Sequence, residues 1–201
     1  MNSRNPKRQK TGKKFKSKLL FLDSPALTHQ CPSQYESHIK LNNGEDVFLR
    51  PIAKSDRYLI VDLFNKMSPQ SVYLRFLHRF KTLPESMINR LIDINYHTNF
   101  ALAATVRENG KDAIIAVGRY GYDHDEGIID LAIAVRDDWQ QIGLGETMLI
   151  KVINIAKDHG ISHFTSMIAP ENNVIKKLLR KLGHKVKYYF QNGFYKVEIV
   201  V

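Results

Sequence analysis

From Asp46 onward the chain switches repeatedly between two hydrophobic periods. Residues 46–52, DVFLRPI, alternate polar and apolar and stop at a proline, which predicts a strand. Tyr58, Leu59, Val61, Leu63 and Phe64 then fall on a helical stripe behind Ser55, a residue suited to capping a helix. The same logic restarts at SPQSVYLRFL, with Ser68 as N-cap and Pro69 in the first turn, and again at LPESMINRLIDI after Pro84. Residues 100–107, 113–122 and 128–135 read as strands separated by Asn109-Gly110 and by DHDEG, the turn chemistry of antiparallel hairpins. A helix over 143–159 carries Leu144, Met148, Leu149, Val152, Ile153 and Ala156 on one side and ends at His159-Gly160. HFTSMIA reads as a strand, NNVIKKLLRKLG as a helix stopped by Gly183, and KVKYYF with FYKVEIVV as a hairpin over Asn192-Gly193. Strand, helices, three strands, helix, strand, helix, hairpin: this order predicts an α/β fold with a mixed sheet.

Composition changes the picture at the N-terminus only. With 43% hydrophobic residues in 201, one globular domain with an extension is expected. The formal charge of +10 is concentrated in residues 1–18, which hold eight basic residues and no acid; what remains is 22 basic against 20 acidic residues. Such a block repels itself and has little to bury, so residues 1–43 read as a basic disordered arm and linker, and 44–201 as the domain. The arm suits a solubilising tail, or docking on nucleic acid, an acidic protein or anionic lipid. No apolar run approaches the roughly 20 residues that span a bilayer, and no secretory core opens the chain, so a cytoplasmic location is expected. Cys31 is the single cysteine, which leaves no internal disulfide and no cysteine metal site.

Two features carry chemistry. Between the strand ending at Val135 and the next helix lie Gln140, Gln141, Ile142, Gly143, Leu144 and Gly145. A strand opening into a helix N-terminus presents unpaired N–H groups and the positive end of the helix dipole to an anion, and glycine lets a phosphate approach them. The nucleotide P-loop needs Lys-Ser/Thr after its last glycine, where Glu146-Thr147 stands; the dinucleotide fingerprint needs a third glycine where Met148 stands. Gln-x-x-Gly-x-Gly survives. The second feature is Asp130, the one polar residue in the apolar run 128–135. A carboxylate there serves either as a hydrogen-bonded structural acid or as a desolvated base, and it lies on the sheet edge that feeds the glycine turn.

Gln140, Gly143 and Gly145 match the Gln/Arg-x-x-Gly-x-Gly/Ala signature of the GNAT superfamily of acyl-CoA-dependent N-acyltransferases, which the order of elements also resembles. More narrowly, LRPI, LFNKMSPQSVYLRFLHRF, LIDINYHTNFALAA, VRDDWQQIGLG and PENNVIKKLLRKLGH resemble the acetyltransferase domain of bacterial Pat-type protein lysine acetyltransferases, over about residues 46–190. The resemblance implies a twisted, mixed but mostly antiparallel sheet of six to seven strands with helices on both faces. It implies acetyl-CoA as cosubstrate, with no metal, its pyrophosphate on the amides of Gln141 to Glu146, its pantetheine arm along Ile133 and Val135, and a contact from Asn172. It places Asp130 where Pat-type enzymes carry a glutamate base, one carbon shorter, so that a water can intervene; Glu126 is the weaker substitute. The tyrosine of many GNAT enzymes, seven residues after the asparagine, is Leu179 here, and neither Tyr188 nor Tyr189 is promoted in its stead. A lysine of a protein, an acyl-CoA synthetase first, is the implied acceptor. A small-amine or N-terminal acetyltransferase and a non-catalytic acyl-CoA-binding regulator are the alternatives.

Other features read as structural. His159 and His163 have ligand-like spacing without a third ligand nearby, Trp139 packs under the glycine turn, and DHDEG is a solvated turn. Lys176, Lys177 and Arg180 divide evenly between the wet face of a helix and contacts to the CoA 3′-phosphate.

Overall fold

The computed structural model describes residues 31–123 and 126–201, so the basic run 1–18 and LLFL lie outside the described residues. Among the described residues eight strands form two sheets. β1 (Ser37–Lys40), β2 (Asp46–Pro51), β3 (Asn99–Glu108), β4 (Lys111–Asp123) and β5 (Ile128–Val135) pair in that order, each antiparallel to its neighbour. β6 (His163–Ile168), β7 (Lys185–Gln191) and β8 (Phe194–Val200) form the smaller sheet, with β8 in the middle. Regular structure is thus present ahead of residue 44. Ser33–Tyr35 form a 3-10 turn, β1 is a real edge strand, and Leu41 is buried. Four residues with one strongly apolar member are too short a pattern to read as a strand.

Five α-helices among the described residues cover the sheets: α1 (Arg57–Asn65), α2 (Pro69–Phe76), α3 (Glu85–Ile92), α4 (Leu144–Asp158) and α5 (Asn173–Lys181). Ser68 caps α2 as its sequence predicts, accepting from the Ser71 amide at 3.1 Å. At α1 the cap falls one residue later than Ser55. Asp56, buried, accepts from the Ala53 amide at 2.8 Å and from both Arg50 nitrogens at 2.6 and 2.7 Å, because a carboxylate can take the arginine fork as well as an amide.

Each face of the larger sheet has its own core. On one side Phe100, Tyr120 and Leu131 meet Met148, Leu149 and Val152 of α4. Gly118 brings β4 against that helix, since a Cβ there would come within 2.9 Å of Val152 Cγ2. On the other side Ala101, Ala103 and Val117 meet Ile60 and Leu63 of α1 and Leu91 of α3. Each large aliphatic side chain withdrawn from water in these layers contributes roughly 1.5–3 kcal/mol.

The two sheets meet at β5 and β6, which α4 connects as a crossover. No ladder joins them. Instead the buried Ser166 hydroxyl on β6 accepts from the Leu131 amide at 3.2 Å and donates to the Leu131 carbonyl at 2.7 Å. One side chain thus occupies the place of a main-chain pair, and past it the strands diverge. This is how the single mixed sheet expected from the element order becomes two.

Candidate active site

The divergence opens a cleft of about 910 Å³. Its walls include Asp130, Ile133 and Val135 from β5, Gln141 and Gly145 from the following turn and helix, and Asn172 ahead of α5. Sequence positions up to 42 residues apart are brought together because the two strands end on one side of the molecule.

The edge of β5 is defined by its pairing. The Arg136 amide donates to the Ile115 carbonyl at 2.9 Å, and antiparallel ladders alternate, so residues 130, 132 and 134 point their main-chain groups at β4. Those of residues 131, 133 and 135 point the other way. Ser166 takes the pair at Leu131, and the Val135 carbonyl accepts from Gln140 Nε2 at 2.9 Å. The N–H and C=O of Ile133 and the N–H of Val135 are left facing the cleft, the set an extended ligand would pair with as an added strand.

The turn after β5 is fixed from several sides. Arg136, buried, binds Glu108 of β3 and, at 2.7 and 2.8 Å, Asp138. Asp137 accepts from the Ser68 amide and hydroxyl and from the Ser71 hydroxyl, all within 2.8 Å, tying the turn to the start of α2. Gln140 also reaches Ser71 Oγ at 3.3 Å, so its side chain organises the turn. Gln141 and Gly143 both adopt positive φ, 64° and 89°. Gly143 is the N-cap of α4, and no side chain caps that helix; its first amides, from Leu144, Gly145 and Glu146, precede the first closed bond at Thr147.

Whether acetyl-CoA fits can be judged at Gly145. A Cβ there would make ordinary contacts, 3.6 Å to Val135 Cγ2 and 3.9 Å to Ile133 Cδ1, so the protein does not need glycine for its own packing. Its absence instead leaves space on the cleft wall beside uncapped amides, which suits a diphosphate. Ile142, Gly143, Leu144 and Glu146 contribute backbone to the turn but are not among the cleft walls, and the Leu144 side chain is wholly buried. Glu146 meets Lys181 of α5 at 2.5 Å, which offsets its negative charge close to the helix start.

Asn172 lines the cleft, and its Oδ1 caps α5 by accepting from the Ile175 amide at 3.2 Å. Lys176 is committed elsewhere, donating to the Pro170 carbonyl at 2.5 Å and lying 4.6 Å over the Tyr195 ring; Lys177 and Arg180 are exposed. Leu179 is buried in the cleft wall. Asp130 stands half-buried opposite Gly121 of β4, and Glu126 lies exposed near the mouth. His159 sits between the hydroxyls of Tyr35 and Tyr120, and burial with the nearby His97 lowers its pKa from the usual histidine value. His163 is exposed and meets the Ser162 hydroxyl at 2.9 Å. Trp139 packs on the α4-side core.

Three contributors escaped the sequence reading. Ser166 sits in a strand where a serine signals nothing by itself, and Arg75 and Arg119 are ordinary polar positions of a helix and a strand until the fold turns them into the cleft. The alternation within β4 could have placed Arg119 on the face opposite Gly118.

The fold and the signature define a class. Residues 46–185 match the acetyltransferase (GNAT) domain family, and the chain belongs to that family of acyltransferases, which use acetyl-CoA. It is 29% identical over 143 residues to the acetyltransferase PA5475 of Pseudomonas aeruginosa, covering 71% of this chain and 77% of that one. To the acetyltransferase Pat of Mycolicibacterium smegmatis it is 23% identical over 146 residues, 72% of this chain and 43% of the relative, so it spans less than half of that protein. The GNAT domain of Streptomyces lividans PAT superposes with a TM-score of 0.77 at 25% identity, over 86% of this chain and 100% of that domain.

Proposed function

We propose that the protein is an acetyl-CoA-dependent lysine acetyltransferase acting on proteins, with an acyl-CoA synthetase the first acceptor to test. The observation that carries this reading is the co-location, in one cleft, of an uncapped α4 start, the unpaired β5 edge at Ile133 and Val135, and the Asp130 carboxylate. In this reading the amides of residues 141–146 receive the pyrophosphate and the β5 edge the pantetheine, leaving the thioester beside Asp130. Similarity to Pat-type proteins supports a protein acceptor.

The chemistry follows from those positions. A lysine amine whose pKa lies about 3 units above neutrality pays roughly 4 kcal/mol to lose its proton. Asp130, directly or through one water, takes that proton as the amine attacks the thioester carbon. The developing oxyanion needs a main-chain donor from the open β5 edge, and fixing both reactants supplies much of the remaining acceleration. With Leu179 where many relatives carry a phenol, no side-chain acid is assigned; a thiol with an ordinary pKa of about 8.5 leaves as thiolate at moderate cost. Residues 1–18 are read as an electrostatic docking arm for nucleic acid or an acidic surface, and the location as cytoplasmic; among the described residues no helix is long and apolar enough to cross a membrane.

Labelled acetyl-CoA incubated with the protein and a cell lysate tests the reading: lysines on proteins become labelled. Label accumulating on small amines would assign a metabolite acceptor, and tight acetyl-CoA binding with thiol release at background would assign a regulator. Asp130→Asn is expected to lower kcat by about 10²-fold or more while calorimetry finds acetyl-CoA affinity unchanged. Equal turnover in that variant removes Asp130 from the mechanism.

A further inference from the structure

The cleft continues from the β5 edge onto the α1–α3 side of the larger sheet, into a recess whose charges acetyl transfer does not require. Strand register defines its floor. Gly121 stands opposite Asp130 and Arg119 opposite Ala132, while Asn99 and Ala101 stand on the other side of Gly121 and Arg119. Opposed residues project to one face, so Asn99, Arg119 and Asp130 rise together from a floor of Gly121, Ala101 and Ala132. A Cβ on Gly121 would lie 3.3 Å from Asn99 Oδ1 and 3.6 Å from Arg119 Nη2, so glycine keeps that floor low. Arg75 of α2 borders the same space, and all four polar side chains line the cleft.

The two guanidiniums of this recess have no ion-pair partner among the described residues. Arg119 donates to the Arg90 carbonyl at 3.2 Å and to Asn99 Oδ1 at 2.9 Å, both neutral acceptors. Arg75 has its guanidinium 4.9 Å over the Phe76 ring. Among the described residues neither has a carboxylate within 4.0 Å, whereas Arg50, Arg57, Arg107 and Arg136 each do. Asp130 attracts both guanidiniums, and Arg75 and Arg90 both repel Arg119. Burial is the main reason that Arg75 binds its proton less firmly than usual and that Arg119 falls to about 10. Three further acids line the cleft: Asp93 is exposed and paired with Lys54, Glu126 is exposed, and Asp123 follows Gly121 two residues along β4. The two half-buried guanidiniums share the field of one carboxylate, Asp130, and neither is in contact with a carboxylate of its own. Their planar forks suit a carboxylate held bidentately.

We propose that Arg75 and Arg119 form an acceptor-side anion subsite that selects amines carrying a carboxylate next to them, in a polypeptide a Glu or Asp flanking the acetylated lysine. The proposal rests on the acetyl-transfer reading of the cleft, because an amine presented to Asp130 puts its neighbouring groups into this recess. A free amino acid could supply the same carboxylate.

Calorimetry on the full chain saturated with CoA separates these cases. Two acceptor pairs are titrated: lysine peptides flanked by Glu or by Gln, and Nα-acetyl-lysine or its amide. The Glu peptide is expected to bind about tenfold or more tightly than the Gln peptide. That ratio should fall towards one in Arg75→Gln and in Arg119→Gln, with CoA affinity unchanged as the check that each variant folds. Preference in the amino-acid pair alone retains the subsite but assigns it to a free α-carboxylate, overturning the polypeptide source. Equal binding within both pairs of the wild-type protein, or a preference that survives both substitutions, overturns the subsite. The same acceptors are then assayed for acetylation. Preserved binding preference without turnover supports the subsite and counts against the transfer reading.

Discussion

Gly143 and Gly145 stand two residues apart and serve different ends. Gly143 is needed by the chain itself: its φ of 89° is hostile to a side chain, and a Cβ would also come within 3.1 Å of Asn42 Nδ2. Gly143→Ala is therefore expected to lose about 1–2 kcal/mol in denaturant unfolding. Gly145 is free of that demand, so Gly145→Val should leave the unfolding midpoint near wild type and weaken acetyl-CoA about tenfold or more in calorimetry, because its methyls enter the space assigned to the diphosphate. Equal affinity in Gly145→Val would remove that assignment. Both glycines were legible in the sequence as a spacing; which one the backbone needs and which it does not was not, since φ and the distance to β5 exist only in the folded chain.

At the junction of β5 with β6 the Ser166 hydroxyl holds both main-chain groups of Leu131, within a shared apolar core. Ser166→Ala leaves the Leu131 amide and carbonyl without that partner in a buried seam, which costs about 1–3 kcal/mol per unsatisfied group and should appear as a lower denaturation midpoint. The far end of β5 is clamped by Arg136 to Glu108 and Asp138. The Arg136 hydrogen bonds hold Glu108 below its ordinary value of 4.5. A carboxylate depressed in the folded state gives stability that is complete above its unfolded pKa and lost as pH falls through the lower folded one. Acid titration should therefore weaken the wild type below about pH 4.5 more than Glu108→Gln, measured as the difference in melting temperature between pH 6 and pH 3.5. A parallel loss in both proteins would remove Glu108 from the clamp's pH response. The strand 128–135 was legible from its apolar run; its two anchors were not, because Glu108 and Ser166 lie far from it in sequence.

At the scale of the whole molecule, the cleft belongs to neither sheet alone: β5 supplies the open edge, α4 the amides, and the β6 side the opposite wall with Asn172. Among the described residues the elements run from Ser33 to Val200. Deleting residues 1–18 is expected to leave acetyl-CoA affinity and the melting temperature unchanged while removing any salt-dependent binding to nucleic acid or acidic protein, measured by titration at low and high salt. A fall in acetyl-CoA affinity would instead assign the arm to the cofactor site.

What the sequence determined by itself is local. Apolar period separated helix from strand, Pro69 and Ser68 marked a helix start, and Gln140, Gly143 and Gly145 marked the turn into α4, because each of these depends on neighbours within a few residues. Only the tertiary structure decided that the sheet divides at Ser166, that residues 37–40 form an edge strand on β2, and that Arg75 and Arg119 share a recess with Asp130. Those outcomes depend on which distant edges and faces meet, and neither a periodicity nor a spacing records them.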